Sequence, residues 1–207
     1  MKPRCLITLI SLATLAVLPI SDASAGPEEL ANEKCGNCHG DEGVSTDGRV
    51  PSIAGFSARA IEDMLESYAS GDRIAVRYKP VGGNETDMAE IVKTLNADDK
   101  KDLAGFFSRQ AFKPHPQTAD TAMADEGAKI HDEKCEKCHS DGGVNASDDA
   151  AILGGQWRDY LEKGFERLTS GERPMPDKMR KRFEKLTEGE KKQLIEYYVS
   201  GGGKKTR

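Results

Sequence analysis

The sequence predicts an all-α protein built from two tandem copies of one small domain. Three observations predict it. Apolar residues recur at helical spacings of three and four, and no convincing alternating stretch is present. A shift of 100 residues lays the chain on itself without a gap from Glu33 to Arg73. The pattern Cys-x-x-Cys-His occurs once in each copy, at 35–39 and 135–139, and takes four of the five cysteines.

The first 25 residues read as a secretory signal. Lys2 and Arg4 precede an apolar run, Leu6 to Leu18, that is too short to span a bilayer. Ala23-Ser24-Ala25 supplies a cleavage site, so Cys5 is expected to be lost and the chain exported to a periplasm. After it come a first domain, 26–112, a linker, 113–122, and a second domain, 123–207. Matched pairs define the repeat: Glu33-Lys34-Cys35 with Glu133-Lys134-Cys135, Gly43-Val44 with Gly143-Val144, and Ser70-Gly71 with Ser170-Gly171. A leading helix is expected over 28–38 and 125–138, each ending in the cysteine motif. A second is expected over 57–69 (Ile61, Leu65, Tyr68) and 157–169 (Leu161, Phe165, Leu168). Last come 98–110, capped by Asn96 or Asp98, and 187–199, capped by Thr187. The linker, with its two prolines, reads as solvated, His115 included.

Composition narrows the function. The net charge of −5 argues against nucleic acid, which calls for a basic surface. No stretch beyond the leader is long and apolar enough for a membrane span. Aromatics make up only 6% of residues and charged groups 31%, so domains of this size need something besides side chains to fill their cores.

The motifs suggest what that is. Thiols three apart on a helical turn, Cys35 with Cys38 and Cys135 with Cys138, can add across the two vinyl groups of a haem. His39 and His139, directly following, then lie under the iron as proximal ligands. Zinc would need a fourth ligand, a thioredoxin-like dithiol expects a βαβ setting, and a plain disulfide leaves the repeat unexplained. Two covalent haem c groups account for the whole pattern.

The sixth ligand decides between electron transfer and small-molecule chemistry. Beyond the gapless stretch, 88–107 lies over 179–198, with Leu95 matching Leu186, Leu103 matching Leu194, and Phe106-Phe107 matching Tyr197-Tyr198. Met88 and Met179 are therefore equivalent and are the expected axial ligands. Met175, between Pro174 and Pro176, is the rival in the second unit but has no counterpart in the first. Met64 reads as core and Met123 has no partner. Pro51 is placed to offer its carbonyl to the His39 ring, with Ala151 at the matching position. Arg73 and Arg173 are candidates to face haem propionates.

Together these features resemble the tandem diheme class I cytochromes c. The second half is similar to the cytochrome subunit of flavocytochrome c sulfide dehydrogenase, in TADTAMADEGAKIHDEKCEKCHSDGG, ILGGQWRDYLEKGFERL and ERPMPDKM. The resemblance implies two class I cytochrome c domains, each wrapped around its haem, in an electron-transfer subunit rather than an enzyme. It implies a heterodimer with an FAD-containing flavoprotein that oxidises sulfide, and a soluble acceptor such as a small cytochrome c. The alternatives are a free-standing carrier feeding a terminal oxidase and a diheme peroxidase. No Gly-rich turn follows a strand here, so FAD is expected only in the partner. The first unit carries 10 basic and 16 acidic residues and the second 17 of each, with Lys178, Arg180, Lys181, Arg182 and Lys185 around Met179.

Overall fold

The computed structural model describes residues 26–203. The expected signal segment, with Cys5, lies outside the described residues. Helices dominate, and the only strand-like pairing among the described residues is an isolated bridge between Tyr78 and Thr86.

In the first unit the helix Pro27–Ala31 continues as a π-helical turn, Asn32–Gly36, and then Asn37–His39. Cys35 thus sits on a widened turn of a kind that recurs at functional sites. Ala58–Ala69 follows, started by the Ser57 side chain, which accepts from the Ala60 amide. Ala97–Ser108 begins in a capping box between Asn96 and Asp99, which settles the cap in favour of Asn96. The second unit repeats the order with Thr121–Lys134, Arg158–Ser170 and Glu188–Val199, the last capped by Thr187 and Glu190. Two further helices, Met88–Lys93 and Asp177–Phe183, were not evident in the sequence. Six or seven residues are too few for a periodic signal.

Each unit has its own core. Phe56, Leu65, Leu103 and Phe107 anchor the first, and Leu161, Leu168, Leu194 and Tyr198 the second. In the second unit the first and last helices touch at Gly127, where a Cβ would collide with the Gln193 carbonyl. Only glycine lets the two backbones come this close.

The two units are packed together, not merely tethered. Ile152, from the second, is buried in the core of the first. Gln156 is fully buried; its Nε2 donates to the Ser52 carbonyl at 2.7 Å and its Oε1 accepts from the Ser52 amide at 3.0 Å. Trp157 Nε1 donates to the Ser45 carbonyl at 3.1 Å. Gln156→Ala leaves both the buried N–H and the buried C=O of Ser52 without these partners and is expected to destabilise the protein by about 2–4 kcal/mol. Denaturant titration of the haem-loaded protein measures it, and a loss below about 0.5 kcal/mol would mean that the junction contributes little.

The linker differs from expectation. His115 is buried, stacked on Trp157 with ring centroids 4.0 Å apart, and its Nε2 lies 2.8 Å from Ser52 Oγ. Gln117 and Asp120 bind the second unit through Gln156, Arg158 and Glu196. Burial holds His115 below the ordinary histidine range. The unfolded chain therefore takes up a proton near pH ~6.5, before the folded protein does. The contribution of His115 is fully present above that pH and is lost as pH falls through the lower folded value. Thermal melts at pH 7.5 and pH 5 should show a stability loss in the native protein that is smaller in His115→Phe. Equal losses would exclude His115 as its source.

Candidate haem sites

No disulfide joins any of the four motif cysteines of the described residues. Burial, aided by Cys38, pushes the Cys35 thiol up to about 12. A dithiol exchanging disulfides needs an accessible thiolate, so this setting does not suit one. Among the described residues no group of three or more His, Cys, Asp or Glu side chains could hold a metal ion, which leaves zinc without a ligand set.

The imidazoles are prepared for ligation. His39 is buried, and its Nδ1 lies 2.9 Å from the Pro51 carbonyl. A carbonyl can only accept, so Nδ1 carries the proton and Nε2 keeps its lone pair free for a metal. Burial holds His39 below the usual histidine range, opposed by the Pro51 bond and assisted by Arg73. His139 is likewise lowered, first by burial and then by His131, while the Ala151 carbonyl favours its charged form. No hydrogen bond closes on His139 Nδ1, a buried atom left without a partner. The Ala151 carbonyl still faces the His139 ring closely enough to favour its charged form, but its geometry falls short of the 2.9 Å bond that Pro51 makes to His39.

Met88 opens Met88–Lys93, whose N-cap Asp87 accepts from the Glu90 amide. Met179 lies in Asp177–Phe183, just after Pro176. Both are half-buried and packed against their own core clusters, so the repeat places them alike. Met175 is 8% exposed and belongs to the second core itself. The basic residues near Met179 are exposed, as a docking rim or a solvated face would be.

Arg73 is 9% exposed, its guanidinium lies over the Tyr68 ring, and its Nε is buried with no partner. A buried guanidinium nitrogen without an acceptor suits a cavity that receives an anionic group such as a haem propionate. Arg73 and Arg173 both face Tyr160. Burial would raise that hydroxyl, but the two guanidiniums outweigh it and hold it below the usual tyrosine range. The candidates from the two units therefore converge on one place, where Tyr160 also donates its amide to the Gly48 carbonyl at 2.9 Å.

Sequence reading missed two participants. His131, fully buried in Thr121–Lys134, bonds Tyr198 and the backbone of His139. Gln156 was not singled out either. Neither belongs to a motif, and both acquire their partners only through tertiary contact.

Two helical units, each with a cysteine pair, a histidine directly after it whose pKa is lowered by burial, and a methionine on a following short helix, define a tandem c-type cytochrome. The comparisons agree. The profile described as cytochrome C oxidase, cbb3-type, subunit III matches residues 122–197. Cytochrome c4 of Stutzerimonas stutzeri is 32% identical over 162 residues, 73% of this chain and 74% of its own. That of Azotobacter vinelandii is 28% identical over 82% of this chain and 84% of its own. The crystal structure of reduced recombinant cytochrome c4 from Pseudomonas stutzeri matches with a TM-score of 0.66 at 26% identity, covering 86% of this chain and all of that one. The chain belongs to the cytochrome c4 family. It is a diheme electron carrier with two covalently bound haem c groups.

Proposed function

We propose that Cys35 and Cys38 tether one haem and Cys135 and Cys138 the other. His39 with Met88, and His139 with Met179, would ligate the iron of each. Bound haem supplies reversible one-electron chemistry. The chain's own residues keep the imidazoles neutral, exclude water and offer Arg73 and Arg173 to the propionates. Methionine ligation would leave the iron no open position for a substrate and would raise its potential. The two domains span 26–112 and 123–207, and the leader directs the chain to the periplasm.

In this reading the chain is the electron-transfer subunit of a heterodimer. It accepts electrons from an FAD-containing sulfide dehydrogenase chain and passes them to a soluble acceptor. The observation that supports a protein partner is the loop 72–87, nine residues longer than its counterpart. It exposes Ile74 (55%), Val76 (51%) and Val81 (95%), three of the four large apolar side chains that are exposed among the described residues. Three exposed apolar groups on one loop of an acidic unit suit a docking face better than open solvent. Affinity purification of the tagged chain from its native periplasm tests this. A yellow, FAD-containing partner in one-to-one ratio is expected, while a red monomer would overturn the heterodimer. That outcome would favour the second reading, a free-standing carrier feeding a terminal oxidase, which the cytochrome c4 relatives support equally.

A further inference from the structure

We propose that Glu136, fixed by His131 and Tyr198, lowers the reduction potential of the second haem, and that the first unit has no counterpart of this device. The inference rests on Cys135, Cys138 and His139 holding that haem.

His131 is 0% exposed, so its ring nitrogens need partners inside the protein. Its Nε2 lies 3.0 Å from Glu136 Oε2 and 2.9 Å from the His139 carbonyl. Both are acceptors, so Nε2 carries the proton. With the Nε2 proton so placed, Nδ1 is left to pair with the Tyr198 hydroxyl at 2.9 Å. Glu136 also accepts from the amides of Asp141 at 3.2 Å and Gly142 at 3.1 Å. Both of its oxygens thus receive N–H groups, an arrangement that suits the ionised carboxylate. Its side chain is only 21% exposed and stands between the two motif cysteines.

The repeat register shows what is special about this set. Ala31 matches His131, Gly36 matches Glu136, and Phe107 matches Tyr198. Ala31 and Phe107 are buried in the first core. A polar triad in one unit therefore replaces a methyl, a hydrogen and a phenyl ring in the other. A fixed negative charge beside a haem favours the oxidised iron, which carries one more positive charge. Lys134 and Arg182 also lie near Cys135 and act in the opposite sense, so the informative quantity is the change on removing the carboxylate.

A purely structural role is the competing account. Asp141 and Gly142 have positive φ, 54° and 74°, and the carboxylate holds that turn. Glu136→Gln separates the two, because an amide oxygen still accepts but carries no charge. Spectroelectrochemical titration of haem-loaded protein should show one midpoint raised and the other unmoved. The expected change in the oxidised-to-reduced ratio at fixed potential is on the order of tenfold, about 59 mV for a one-electron couple. Tyr198→Phe places in the second unit the ring that the first already has. It should move the same midpoint in the same direction by less. Two haems per chain with both midpoints unmoved in whichever variants load, or both midpoints moving together, overturns the proposal. Fewer than two haems in the unmodified chain would instead overturn the ligand assignment.

Discussion

Cys135→Ala with Cys138→Ala is expected to leave one covalent haem per chain instead of two, read by denaturing mass spectrometry. The consequence reaches beyond the count. The second unit is a small domain whose last helix buries Leu194, Ile195, Tyr197, Tyr198 and Val199 on one side of a core that expects a macrocycle on the other. A domain of this size is marginal without a cofactor, so the unit should melt before its neighbour and at a lower temperature than in the native protein. The second unit lends Ile152 to the first core and binds Ser52 through Gln156, so the first should lose stability too, although less. A double variant that kept two covalent haems would refute the assignment of these thiols.

Met179→Leu carries the second large effect. Leucine has no atom that can ligate iron, so one of the two haems should become high-spin in the oxidised state. Its methionine-to-iron charge-transfer band should disappear, and its potential should change because a ligand that raises it is gone. Met175→Leu is the control. That side chain lies in the core, and a leucine of similar volume should cost less than about 1.5 kcal/mol and leave both haems low-spin. The opposite pattern, with Met175 controlling spin state, would exchange the two assignments. A native protein already high-spin at one iron would point to a peroxidase instead.

Much of the candidate site was legible in the sequence because its chemistry is local. Cys35, Cys38 and His39 are fixed relative to one another by a single helical turn, whatever the remainder of the fold does. The Pro51 carbonyl was found from its place in a turn, and the 2.9 Å bond to His39 agrees. Met88 and Met179 were located by repeat register; Met88 opens one short helix and Met179 is the third residue of the other. The helices themselves were less visible, since one turn and a half leaves no period to read.

Residues that act across the chain behaved differently. His115 looked like a solvated linker residue and is buried against Trp157. His131 fell inside an expected helix with nothing to mark it. Gln156, Ser52 and Ser45 are unremarkable side chains until the two units meet.

By itself the sequence determined the duplication and the covalent haem chemistry and pointed to the proposed ligands, because spacing along a helix translates directly into geometry. Only the tertiary structure decided how the two sites differ. Whether a histidine meets a carbonyl or a tyrosine depends on how distant segments pack, 67 residues apart for His131 and Tyr198, and helical spacing carries no record of that.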